Sequence, residues 1–253
     1  MLKIGKRWLC EAAALYCIGS VVVAQAQDAQ LPFTPILTVG SVALQNDSVV
    51  ANADGSFTLL GNQQGGSFYG GAVWDFTWDL TLNQDPSIIG ALTLTNLTTT
   101  TRNFNLTFVL PVTPAFSPSM FGGALDAVLI DANGDRSATL APTAVSPSIY
   151  RGQIDGITAL SLFALNLTCT GSGPGCVTGS YEDAGFPGLT LAGPGVSSTI
   201  STLLSFSLTA GDSVTFHTNF TVEPVPLPAA LPLMLGGLAL VLRRRKGQLR
   251  VAG

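Results

Sequence analysis

Between Gln27 and Glu223 the sequence has no lysine, one histidine and two glutamates. Each scarcity closes a class of function. The only cations in that stretch are Arg102, Arg136 and Arg151, set against fourteen carboxylates, for a net charge near −11. A surface that acidic repels a phosphate backbone, so nucleic acid is not an expected partner. A phosphate-cradling glycine loop that ends in lysine cannot be built without one. Glycoside hydrolysis usually needs two closely placed carboxylates. Here Glu182 stands in a Gly/Pro-rich stretch and Glu223 beside a proline motif. The Gly-x-Ser-x-Gly elbow of serine hydrolases does not occur. His217 is the only side chain whose ordinary proton affinity suits general-base work near neutrality. No catalytic residue and no cofactor is assigned on these grounds.

Cysteine is scarce as well. Of the four, Cys10 and Cys17 fall in the N-terminal apolar stretch, leaving Cys169 and Cys176 for the rest of the chain. Metal binding by that pair needs partners, and no histidine is near. An even pair joined by Thr-Gly-Ser-Gly-Pro-Gly reads as a local disulfide, which requires an oxidising compartment.

Long amphipathic helical periods are missing between residues 27 and 222, and alternation takes their place. Trp74, Phe76, Trp78, Leu80 and Leu82 alternate with Asp75, Thr77, Asp79 and Thr81, the pattern of a half-buried strand. Phe104, Leu106, Phe108 and Leu110 repeat it. So do Val214, Phe216, Phe220 and Val222, which places His217 on the polar side with Thr215 and Asn219. Weaker strands are expected over 36–44, 56–60, 89–97, 125–130, 157–167 and 203–208. Turn chemistry separates them at Asn52-Ala53-Asp54-Gly55, Asn83-Gln84-Asp85-Pro86, Asn133-Gly134 and Ala210-Gly211-Asp212. Two stretches, 61–71 and 171–195, are rich in Gly with Gln or Pro and are expected as loops. The fold class expected is all-β, an antiparallel sandwich that is either immunoglobulin-like or jelly-roll-like.

Three smaller constellations invite a functional reading. Asp131, Asn133 and Asp135 place oxygens at the first, third and fifth positions of a calcium loop. Arg136 stands where that loop needs Gly, and Pro142 where it needs the bidentate Glu. A hairpin turn at Asn133-Gly134, joining 125–130 to 138–140, accounts for the same residues without metal. Trp74 and Trp78 share one strand face and could stack a sugar, but Phe76, Leu80 and Leu82 on that face favour burial. Asn96, Asn105, Asn166 and Asn219 each open an Asn-x-Thr triplet and are expected as strand-face residues rather than glycan acceptors.

The two ends are of another kind. Lys3, Lys6 and Arg7 precede an apolar stretch from Leu9 to Val23, interrupted by Glu11. Ala24-Gln25-Ala26 then forms a small-x-small cleavage signal, with Gln27 as the first residue after the cut. Residues 1–26 are therefore expected to be a signal peptide. At the other end stand Val225, Pro226, Leu227, Pro228 and Ala229. An uncharged run over 227–242 follows, and then Arg243, Arg244, Arg245 and Lys246. A helix of about 17 residues rises roughly 25 Å, just short of a bilayer core of about 30 Å. The basic cluster would hold its end on the cytoplasmic side and leave the preceding domain outside.

This proline motif, weak membrane helix and arginine cluster resemble the PEP-CTERM sorting signal, in its VPLPA-type form. The resemblance covers only the sorting region, 223–253. Glu223-Pro224 would also fit a Pro-Glu-Pro form, except that Val222 stands at its first proline. The resemblance implies export, transient anchoring in the inner membrane and processing near the motif by an exosortase-type enzyme. The expectation is an exported cell-envelope or extracellular-matrix protein whose ectodomain, 27–222, is structural or adhesive. The alternative is a carbohydrate-binding module acting on exopolysaccharide, and a hydrolase is disfavoured.

Overall fold

The structure is a computed structural model that describes residues 31–68, 71–83, 85–171, 175–186 and 188–225. The signal peptide expected over 1–26, with Ala24, Ala26 and Gln27, lies outside the described residues. So do Pro226 to Ala229, the helix expected over 227–242 and the cluster Arg243 to Lys246. Among the described residues every regular element is a strand.

In chain order these are β1 (Ile36–Val39), β2 (Val42–Ala43), β3 (Ser48–Ala51), β4 (Phe57–Phe68), β5 (Gly71–Asn83), β6 (Ser87–Asn96), β7 (Arg102–Pro111) and β8 (Ser119–Ile130). There follow β9 (Ser137–Pro142), β10 (Tyr150–Ile154), β11 (Ile157–Leu162), β12 (Leu167–Thr170), β13 (Val177–Ala184), β14 (Leu191–Gly193), β15 (Thr199–Leu208) and β16 (Ser213–Pro224). They form two antiparallel sheets. The first runs β11-β10-β15-β7-β1-β2, with β9 beside β15 and β12 beside β9. The second runs β13-β8-β16-β6-β5-β4-β3, with β14 extending the β13 side of β8. The last strand, β16, sits in the middle of the second sheet, between β6 and β8.

The sheets pack face to face because each strand turns its apolar side inward. Phe206 of β15 meets Phe216 of β16 with ring centroids 5.1 Å apart, and Phe76 of β5 meets Phe108 of β7 at 6.5 Å. Tyr150, Phe76, Phe108, Phe206, Phe216 and Phe220 are the largest fully buried side chains. Each such burial is worth about 1.5–3 kcal/mol against exposure. Tyr150 satisfies its hydroxyl by donating to the Asn219 carbonyl at 3.0 Å.

Four expectations are corrected here. The stretch 61–71 is not a loop, because β4 continues to Phe68 and β5 opens at Gly71. The glycines there make room for rings. A Cβ on Gly61 would lie 2.1 Å from the Trp78 ring, and one on Gly65 would lie 2.3 Å from Trp74. The stretch 171–195 contains two strands, β13 and β14, both paired to β8. Asn133-Gly134 does not close a hairpin, since β8 belongs to the second sheet and β9 to the first. The turn is a crossover, held by its own side chains. The expected strand over 36–44 is a small hairpin, in which β1 and β2 turn about Gly40 at φ 59°.

Candidate functional site

The sequence-marked residues fall in different places. Trp74 and Trp78 are 4% and 3% exposed, and Trp78 Nε1 donates to Asn46 Oδ1 at 3.0 Å. Both rings belong to the core and offer no face to a ligand.

Asp131, Asn133 and Asp135 turn their oxygens onto backbone N–H groups. Asp131 accepts from Gly134 at 2.8 Å and from Arg136 at 2.9 Å. Asn133 accepts from Asp135 at 2.7 Å, and Asp135 accepts from Ser137 at 2.9 Å. Among the described residues no group of three or more His, Cys, Asp or Glu comes together as a metal site. Asn96, the last residue of β6, faces inward rather than toward solvent. It is fully buried, donates to the carbonyls of Thr100, Leu208 and Thr209, and accepts from Thr98.

Cys169 and Cys176 are joined as a disulfide, with Cα atoms 6.0 Å apart. Cys169 is buried on β12 of the first sheet, and Cys176 immediately precedes β13 of the second. The bond therefore staples the passage from one sheet to the other. The Cys176 carbonyl accepts from the Asp131 N–H at 2.9 Å, which ties this passage to the β8–β9 crossover.

Asp155 was not marked by any sequence pattern. It sits at φ 49° between β10 and β11. Its Oδ1 accepts from both the N–H and the hydroxyl of Ser198 and from the Thr199 N–H. Its Oδ2 accepts from the N–H and hydroxyl of Ser197. Partial burial alone would push the carboxyl up. The five donors outweigh that and hold it well below the usual carboxylate range. Such saturation is that of a loop staple and leaves little for a ligand.

What the fold does assemble is a row on the outer face of the second sheet. Register places Tyr181 of β13 opposite Asp126 of β8, Asp126 opposite His217 of β16, and His217 opposite Ala91 of β6. The next row on the same face runs Asp183, Ala124, Asn219 and Ile89. Alternation alone sets this facing, because Phe216 and Thr218, which flank His217, point into the core. His217 Nδ1 lies 3.3 Å from Asp126 Oδ2, with the His217 side chain 57% exposed. Tyr181 is 61% exposed and Ile89 is 41% exposed. Partial desolvation, then the hydrogen bond to Asp183 and the charges of Asp183 and Asp126, raise the Tyr181 hydroxyl above its ordinary value.

Between the two rows lies an open concavity of about 310 Å³. Asp126, Tyr181 and His217 bound it on one side and Ile89, Ala124 and Asn219 on the other, with the backbone of Gly90 and Thr218 below. It is shallow and open to solvent, and among the described residues Asp126 is the charged group paired with His217. The arrangement suits reversible contact with a surface ligand better than a reaction that must exclude water. From sequence, the His217 facing was readable from the alternation, whereas Tyr181 was hidden in a stretch that looked like loop. No protein-family model matches this chain, and no curated protein matches it.

Proposed function

We propose that this chain is an exported cell-envelope or extracellular-matrix protein with a structural or adhesive role and no catalytic one. Its tail anchors it transiently in the inner membrane, where an exosortase-type enzyme processes it at or near Val225 to Ala229. One observation supports this reading above the others. The central strand β16 ends at Pro224, and the Val225 N–H still donates to the Pro118 carbonyl at 3.0 Å. The folded ectodomain therefore reaches the first residue of the proline motif without an intervening linker. The Cys169–Cys176 disulfide agrees with an oxidising compartment.

The finer fold reading is a jelly roll rather than an immunoglobulin-like sandwich. Successive strands β6, β7 and β8 alternate between sheets, and the last two return between them. There β15 inserts between β7 and β10, and β16 between β6 and β8. Such interleaving supports the double Greek key of a jelly roll over the immunoglobulin-like order.

The sorting reading is tested by replacing Arg243, Arg244 and Arg245 with Gln in the full chain. Neutralising them removes the charge that keeps the C-terminus inside. Fractionation and mass measurement should then show loss of membrane retention and of the trimmed form. A triple variant retained and trimmed like the wild type overturns the reading.

A further inference from the structure

We propose that the concavity under the Tyr181–Asp126–His217 row binds a neutral sugar ring of a polysaccharide, with Tyr181 as its stacking platform. The inference deepens the adhesive reading above, and rests on it only for where the sugar would be met.

Three features of the site support this class of ligand. The first is the platform. Tyr181 stands on the outermost strand of the sheet and is 61% exposed, on the same strand face as Asp183. An exposed aromatic ring, with only two side-chain torsions, offers apolar area at low cost in conformational freedom. The second is the floor. Ala124 and the backbone of Gly90 and Thr218 leave a depression because no long side chain rises from that floor. Its length across β13, β8, β16 and β6 is three strand spacings, about 14 Å, enough to extend past a single ring. The third is the edge. Asp126 and His217 are paired through Nδ1, which leaves Nε2 of the imidazole free to hydrogen-bond, with the Asn219 amide in the next row.

A pyranose has this same division, with C–H groups on its faces and hydroxyls around its rim. A mainly apolar bed with hydrogen-bonding groups at one border matches it. Charge argues against the other surface ligands. The carboxylates Asp126, Asp183 and Asp79 share this face and repel an anionic polymer. A cationic peptide would need a free carboxylate aimed into the depression, whereas Asp126, the one carboxylate that lines it, is engaged by His217.

The test uses the full chain purified in a detergent without a sugar headgroup. Cellohexaose, laminarihexaose and mannohexaose are titrated by calorimetry, with alginate and polylysine as charged comparators. At least one neutral hexasaccharide should bind, and Tyr181→Ala should weaken it about tenfold or more while Tyr181→Phe holds it within about threefold. Ala124→Leu fills the depression from the solvent side and should abolish binding, which keeps the proposal testable if Tyr181→Ala misfolds. The proposal is overturned if no neutral hexasaccharide binds, if only a charged polymer binds, or if both Tyr181→Ala and Ala124→Leu bind like the wild type. These outcomes are separate from sorting. A chain that is anchored and trimmed but binds no sugar sinks this site alone, and one that binds sugar but ignores its arginine cluster sinks only the sorting reading.

Discussion

Asp155 and Asp212 are two loop carboxylates that folding has moved in opposite directions. Asp155 gains five donors and is held low. Asp212 is 0% exposed; its Oδ2 accepts from the Thr209 hydroxyl while Oδ1 lacks a well-formed partner. Burial first, and the charges of Asp135 and Asp131 after it, push Asp212 up, with the Thr209 hydroxyl and the Ala132 N–H offsetting only part. The consequences for stability have opposite signs. The Asp155 contribution is complete above the unfolded carboxylate value of about 3.9 and is lost as pH falls toward its lower folded value. The Asp212 carboxylate destabilises above its raised folded value, and that cost vanishes as pH falls through it. Asp155→Asn should therefore lower the denaturant midpoint at pH 7 and flatten the acid limb, while Asp212→Asn should raise the midpoint at pH 7. Midpoints measured from pH 2 to 8 check both; an Asp212→Asn protein less stable at pH 7 and unchanged at pH 3 contradicts the account. Neither role was legible in the sequence, where Asp212 looked like ordinary turn chemistry and Asp155 matched no pattern. Turn propensity registers that a short polar side chain can bond locally. It does not say how many donors converge from a neighbouring strand end.

At the scale of elements, legibility followed facing. β5, β7 and β16 were readable because one side of each meets the core and the other meets water, so alternation is enforced residue by residue. The failures were strands whose composition answers to a neighbour instead. β4 carries Gly61 and Gly65 because Trp78 and Trp74 from β5 lie across them, so the residues that suggest a loop are there to admit aromatic rings. β13 lies at the outer edge of its sheet with both faces largely exposed, so it has no apolar alternation to read. It carries Tyr181, and this is why the candidate site was invisible while His217 on β16 was not. The β4 account makes a direct demand. Gly61→Val drives a branched side chain into the Trp78 ring and should cost about 1–3 kcal/mol as overpacking. Asn62→Thr, one residue away and facing solvent, should stay within about 0.5 kcal/mol. Urea unfolding of the two variants decides it, and equal losses would return the stretch to loop.

At the scale of the whole molecule, the sequence announced two sheets but not their interleaving. Turn residues mark where a strand ends without marking which sheet the next one joins. The Asn133-Gly134 and Ala210-Gly211 turns show the difficulty. Both have hairpin-like chemistry, yet each passes from one sheet to the other, and Asn133 Nδ2 donates to the Ala210 carbonyl at 2.6 Å to lock the two crossovers together. The result is that the sandwich is completed by its last strand. β16 fills the gap between β6 and β8, and its Val214, Phe216, Phe220 and Val222 are fully buried. A chain ending at Ala210 would leave two central strand edges unpaired and open the core along its length. It should therefore show no cooperative unfolding transition and should bind a hydrophobic dye. A chain ending at Val225 keeps every described strand and should unfold cooperatively, with the proline motif, the apolar run and the arginine cluster removed. If the shorter chain unfolds as cooperatively as the longer one, β16 is an accessory strand and the sandwich closes without it. If the longer chain also fails to fold, the tail belongs to the folded unit, and its assignment as a separable sorting signal falls with that result.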